Sequence, residues 1–328
     1  MNATIRTSLL CSFTGLVLVI LAGCEKPPDA PIYYAPGEEP GPTEKQYELS
    51  TTLDAQLTRL NGVAVDPTGR IFAVGRGGLN ILDEKGAVTA TWLKDEDLRC
   101  IALAEDATLY VASASRIIKL DSEGRQLAAW TTVGPSGPKL GRVTSLTVKG
   151  MELLAGDADA RCVHRLTIDG DLSNNIPAPT DDGKTAGKLI LPSAHLDALF
   201  DLNGNVIINH PGKLRVEVYS LDGKLLSFWG EPGMAADRFC GCCNPTDIAL
   251  APDGNIITAE KGILRVKLYS PEGKMLAFIG PEYFSTNLTG AEAALDLAVD
   301  GKGRIFIADP GDGKIRVFTP TSESDSDN

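Results

Sequence analysis

Between residues 60 and 320, apolar and polar residues alternate with a period of two in short runs. VAVD, RIFAV, NIITA, RVKLYS and RIFIA are examples, and the pattern is that of β-strands. Asp-Gly and Thr-Gly pairs between the runs mark tight hairpins. Aligned on their turn glycines, the segments give six copies of one unit: a short apolar strand, a turn, a second apolar strand, a loop, and a third strand ending in another turn. The copies are Leu60–Gly86, Arg99–Gly124, Val143–Gly170, His195–Gly223, Asn244–Gly273 and Ala294–Pro320. A fourth, outer strand follows each third turn, as in AVTATWL, RQLAAW, KLLSFWG and KMLAFIG.

Four antiparallel strands repeated six times predict an all-β, six-bladed β-propeller, in which no blade can bury both faces alone and circular packing removes the open edges. The last copy offers only three strands, whereas Gln46–Leu53 (QYELSTTL) is a spare strand ahead of the first. This N-terminal strand is expected to complete the sixth blade and close the ring.

The copies resemble NHL repeats, whose units open on P-x-G-I-A-V-D, turn at D-G, continue with I-Y-V-A-D and close on R-I-x-V-F-x-x-x-G. The resemblance spans residues 60 to 320. Closing arginines recur at Arg116, Arg215, Arg265 and Arg316, while copies one and three carry Gly78 and Cys162 instead. The stretch FC…NPTD is also similar to a segment of the peptide-amidating lyase branch of such propellers, which uses a zinc held by three histidines. The histidines here, His164, His195 and His210, fall in different parts of two blades and do not supply that set.

The ends read differently. Arg6, the apolar run LLCSFTGLVLVILAG and the tetrapeptide Leu21-Ala22-Gly23-Cys24 resemble a bacterial lipoprotein signal, residues 1–23, that would leave Cys24 lipidated as the mature N-terminus. Glu25 after that cysteine implies the periplasmic side of the outer membrane. Residues 24–45, rich in Pro, Gly and charge, would be a flexible tether ahead of the propeller at 46–320, and 321–328 a disordered acidic tail. A net charge of −12 argues against nucleic acid as a partner and suits a cation or basic partner better.

In a propeller the first strand of each blade lines the central channel, so the residue before each first apolar triplet is informative. Around the ring these are Gly62, Cys100, Ser145, Asp197, Asp247 and Asp296. Asp197, Asp247 and Asp296 would present three carboxylates at one channel mouth, able to hold a hard cation such as Ca²⁺ or to cap backbone N–H groups. His195, two residues before Asp197, is the one histidine near that mouth and the weak candidate for a general base. The mature domain keeps Cys100, Cys162, Cys240, Cys242 and Cys243. A disulfide within the CGCC loop, or from it to Cys100, is the leading reading in an oxidising compartment; a soft-metal or redox site at Cys240, Cys242 and Cys243 is the alternative. No nucleophile elbow, phosphate loop or HExxH helix is present. The expected function is a binding or scaffolding module at the cell envelope, membrane-held through its lipid, with a protein or small ligand as partner. The alternatives are a redox or metal-handling protein using the CGCC loop, and a divalent-cation-dependent lyase or lactonase-like enzyme at the channel mouth.

Overall fold

The computed structural model describes residues 43–179, 187–285 and 294–321. The lipoprotein signal, Cys24, nearly all of the tether and the acidic tail after Thr321 lie outside the described residues. A first strand, Tyr47–Asp54 (β1), precedes the repeats. Blade one then contains Arg59–Val65 (β2), Ile71–Arg76 (β3), Gly78–Leu82 (β4) and Val88–Trp92 (β5). Blade two contains Leu98–Leu103 (β6), Leu109–Ser113 (β7), Arg116–Leu120 (β8) and Gln126–Trp130 (β9). Blade three contains Val143–Lys149 (β10), Glu152–Asp157 (β11), Cys162–Thr167 (β12) and Leu172–Ile176 (β13). Blade four contains Ala198–Phe200 (β14), Val206–His210 (β15), Arg215–Tyr219 (β16) and Leu225–Trp229 (β17). Blade five contains Asp247–Leu250 (β18), Ile256–Glu260 (β19), Arg265–Tyr269 (β20) and Met275–Ile279 (β21). Asp296–Val299 (β22), Ile305–Asp309 (β23) and Lys314–Pro320 (β24) make up most of blade six.

Each first strand packs beside the next, and β22 packs beside β2, so the six sheets close into a ring. The fold is a six-bladed β-propeller. Among the described residues no helix is long and apolar enough to cross a membrane.

Ring closure uses the N-terminal strand. β1 pairs antiparallel with β24, from Tyr47 opposite Pro320 to Asp54 opposite Lys314. Most of β1 faces solvent, but Leu53 is buried in a cluster with Leu60, Val63, Ile315 and Val317 that joins blade six to blade one. The remaining apolar clusters also lie between neighbouring blades, as where Leu199, Ile207 and Val216 meet Ile248, Ile256 and Tyr269. This explains why the middle strands are buried on both faces while outer strands such as β9 and β17 alternate or stay exposed. A middle strand has a blade on either side, and the period-2 pattern no longer separates core from solvent.

A second inter-blade lock joins tryptophan to glycine. A Cβ added at Gly124, Gly170 or Gly273 would lie 2.3, 2.3 or 2.6 Å from the indole of Trp92, Trp130 or Trp229, each on the outer strand of the preceding blade. The turn glycines are therefore required by contact as well as by their positive φ. Copy one lacks a closing arginine because a Cβ at Gly78 would meet the carbonyls of Trp92 and Leu93 at 2.6 Å. Blade three departs at its outer edge, where the polar segment LSNNI forms β13. Asn174 there donates to the Leu221 carbonyl of the next blade at 3.0 Å, and Asn175 faces inward to His164.

Candidate functional site

Antiparallel order places the starts of the first and third strands of every blade at one end of the ring. The loops leading into the first strands share that end, here called the leading face. Cys100 near the start of β6, Cys162 opening β12, and Cys240, Cys242 and Cys243 ahead of β18 all belong to it. The longest leading loops, those into blades four, five and six, follow one another around the ring.

The positions singled out before each apolar triplet do converge on the channel. The Cys100 thiol is pushed well up by burial and then by the charges of Asp296 and Asp197, with Asp247 adding to them, so four of the six lie within electrostatic reach of one another. Each aspartate accepts a backbone N–H from the next blade: Asp197 from Ile248 at 2.9 Å, Asp247 from Leu297 at 2.8 Å and Asp296 from Val63 at 2.8 Å. The carboxylates thus stitch the first strands of blades four, five, six and one in succession. Asp247 and Asp296 keep partial exposure because they face the channel, yet protein surrounds them on all sides.

Burial raises all three carboxyls, Asp197 to about 6 and Asp296 to about 8, and Asp247 well above the ordinary carboxylate range. The charges of Asp197 and Asp296 raise Asp247 further. Ser145, only 6% exposed, lies beside Asp197 and helps to hold that carboxyl down against the effect of burial. Among the described residues no three His, Cys, Asp or Glu side chains are disposed to hold a metal ion. Asp197 commits both oxygens to backbone amides, the second to Ala198 N–H at 2.7 Å, and Asp247 and Asp296 commit one each. His195 is buried in the loop leading into blade four, its backbone N–H donating to Ser193 O at 2.8 Å.

Sequence reasoning missed a second set of polar residues. In four blades the last side chain of the second strand captures a backbone N–H of the leading loop. Asp157 accepts from Gly141 at 2.6 Å, His210 Nε2 from Ile190 at 2.8 Å, Glu260 from Cys240 at 3.0 Å and Asp309 from Ser285 at 2.7 Å. Each clamp residue is held by partners on the third strand. His210 Nδ1, which must carry the ring hydrogen, donates to Glu217 at 2.8 Å, and Glu217 also binds Arg215 and Tyr219. Burial would raise the Glu217 carboxyl, but these donors outweigh it and bring it to about 2. The recurrence at strand ends was visible in the alignment; its side chain changes between Asp, His and Glu from copy to copy, which hid the shared role.

Blade five carries the strongest clamp. Glu260, Arg265 and Lys267 are each fully buried, with Glu260 2.8 Å from Arg265 and 2.7 Å from Lys267. Arg265 also donates to the carbonyls of Met234, Ala235 and Arg238, and Lys267 donates to Arg238 O at 2.8 Å. Phe239 fills the space beneath, with the Lys267 ammonium 4.4 Å from its ring centre and Trp229 and Tyr269 alongside. Asn244 closes the loop by donating to Cys240 O and Lys261 O and accepting from Lys261 N. The cysteine loop is therefore fixed to blade five through its own backbone.

At its tip the sulfurs form two pairs, Cys240 Sγ with Met234 Sδ at 3.0 Å and Cys242 Sγ with Cys243 Sγ at 3.0 Å. No S–S bond joins the five cysteines of the described residues in this structure. Cys100 is buried in the channel wall beside the aspartates, while the loop sulfurs face one another or Met234. Met234 carries no motif, which is why it was not foreseen.

No family model matches the sequence, and no curated protein matches it. Solved structures match the fold. A streptogramin B lyase is 13% identical with a TM-score of 0.55, over 84% of this chain and 98% of that one. A virginiamycin B lyase from Staphylococcus aureus is 15% identical with a TM-score of 0.56, over 83% of this chain and 99% of that one. The WD40 β-propeller domain of Doa1 is 14% identical with a TM-score of 0.53, over 85% and 98%. At such identities the likeness is one of architecture, and a lyase and a WD40 domain share it equally.

Proposed function

We propose that the protein is an NHL-type binding module, tethered to the cell envelope through a lipidated Cys24, which recognises its partner with the leading face. The observation that carries this reading is the clamping of the leading loops. Four of them are pinned at a described residue by a buried or strand-end side chain, so these anchor points are set before any partner arrives. Preformed loops on a closed β-scaffold are suited to recognition. The reading is tested in intact cells with a photo-crosslinker attached through Cys242 on the leading face or through Lys302→Cys on the opposite face. Reproducible cross-links to one protein from Cys242 alone support it; cross-links from neither position, or only from residue 302, contradict it. Metabolic lipid labelling that survives Cys24→Ala contradicts the anchor.

The 3.0 Å approach of Cys242 and Cys243 sulfurs favours a second reading, a thiol-redox role for the same loop. Mild oxidation with diamide should then remove two hydrogens from the 242–243 peptide before any other cysteine reacts. Formation of intermolecular adducts instead would exclude it.

A further inference from the structure

Cys162 occupies the position that arginine fills in other blades, at Arg116, Arg215, Arg265 and Arg316. Around it the usual ion pair is replaced by a different set. Cys162 and His164 share one face of β12; Asp157 lies opposite Cys162 on β11, and Asn175 lies opposite His164 on β13. His164 Nδ1 is 3.8 Å from Cys162 Sγ and 2.6 Å from Asn175 Oδ1, and Nε2 is 3.3 Å from Asp157 Oδ2. Asp157 is itself held by the backbone N–H groups of Gly141, Asp159 and Ala160, so it orients the imidazole rigidly. Both ring nitrogens face acceptors, so the ring carries both hydrogens: burial would lower His164, but Asp157, Cys162 and Asn175 outweigh it and bring it to about 10, which sets a cation 3.8 Å from the sulfur. The histidine and aspartate are buried, whereas Cys162 is half-buried and opens at the leading face beside the exposed Arg161.

We propose that Cys162 is a nucleophilic thiol that takes a sulfur substituent from a low-molecular-weight disulfide, with the His164 imidazolium stabilising the charge on the attacking sulfur and Asp157 positioning His164. Thiol–disulfide exchange needs an accessible sulfur, gains from a cation beside it and uses no oxyanion hole, which matches what the site holds. In the step, the Cys162 S–H bond and the incoming S–S bond break, and a Cys162 S–S bond and a new S–H bond on the leaving sulfur form. The proton that Cys162 loses goes to solvent and the leaving sulfur takes one back from solvent, so the small disulfide is the only oxidant consumed. Burial raises the Cys100 thiol and removes it from this chemistry, so Cys100 is an internal control. The inference is independent of the binding role and of the Cys242–Cys243 pair.

The intact protein is treated with oxidised glutathione at pH 7, and each cysteine peptide is followed by mass spectrometry. Cys162 is expected to gain glutathione roughly tenfold or more faster than the same sequence in a free peptide. His164→Gln should reduce the rate to that of the peptide with the fold intact by circular dichroism. Asn175→Ala, which removes the competing acceptor at Nδ1 and leaves the His164–Asp157 contact in place, should increase it. A Cys162 rate equal to the peptide's, a folded His164→Gln protein that reacts as fast as the parent, or an Asn175→Ala rate equal to or below the parent's overturns the proposal. Should His164→Gln fail to fold, the Asn175→Ala rate decides.

Discussion

The Glu260 carboxylate accepts the backbone N–H of Cys240 at 3.0 Å while lying between Arg265 and Lys267, all three side chains being inaccessible to solvent. One buried anion thus anchors a loop and pairs with two buried cations. Burial lowers the Lys267 ammonium to about 8 even with Glu260 beside it, a sign of how little solvent reaches the group. Replacing Glu260 with Ala strands both cations, and a loss of about 3–5 kcal/mol is expected. Urea unfolding of Glu260→Ala measures it; a loss below about 1 kcal/mol would mean that the network contributes little.

The channel aspartates make stability depend on pH in a definite direction. Their folded carboxyls titrate above the ordinary value of 3.8, Asp197 at about 6 and Asp296 at about 8. Below that ordinary value both folded and unfolded chains are protonated and the contribution is fully present. As pH rises, the unfolded chain ionises first, so stability falls until the folded groups have also ionised. Asp247→Asn keeps an acceptor for Leu297 N–H and removes one charge from the ring. Its melting temperature is expected to gain on the parent's between pH 5 and pH 9, and parallel pH profiles would contradict repulsion among the three carboxylates.

Gly124 and Gly204 separate two reasons for a turn glycine. Both are left-handed, with φ of +80° and +84°, but a Cβ at Gly124 meets Trp92 at 2.3 Å and one at Gly204 meets nothing within 4 Å. Gly204→Ala should lose only the backbone term, about 1 kcal/mol. Gly124→Ala should lose that and a further 1–3 kcal/mol or so from overpacking against the indole. Thermal denaturation of the two variants compares them directly, and equal losses would remove the tryptophan lock.

Deleting the chain through residue 56 should open blade six. It removes β1 and the Leu53 side chain from its cluster, and it bares the edge of β24. A lower melting temperature and concentration-dependent association are expected by calorimetry and light scattering. An unchanged melting temperature would mean that β1 does not close the ring.

Much of the architecture was legible because turn glycines and strand periodicity repeat in phase, and each weak copy supports the others. The closing strand was placed within one residue, Gln46–Leu53 against Tyr47–Asp54, because a three-stranded last copy demands a donor. The channel residues were also legible, since a position before an inner strand has one orientation in every blade. β13 was obscured by its polarity: LSNNI spends its asparagines on the next blade and on His164 instead of presenting an apolar stripe. The clamps were invisible because Asp157, His210, Glu260 and Asp309 perform one task with three chemistries, and only their partners in space reveal it. Cys162 registered as a departure from the arginine pattern, but its histidine and asparagine partners are joined by strand pairing across β11, β12 and β13.

The claim at the centre of this account is that the leading face is preformed, and the cysteine loop is where it can be measured most directly. Hydrogen–deuterium exchange resolved to the amides of residues 231–243 reports whether that loop opens independently. The Cys240 amide, bonded to Glu260, is expected to exchange as slowly as the amides of β19 and β20, and Glu260→Gln should speed it selectively. Exchange of Cys240 in the parent protein at the rate of an unstructured peptide would contradict a preformed face.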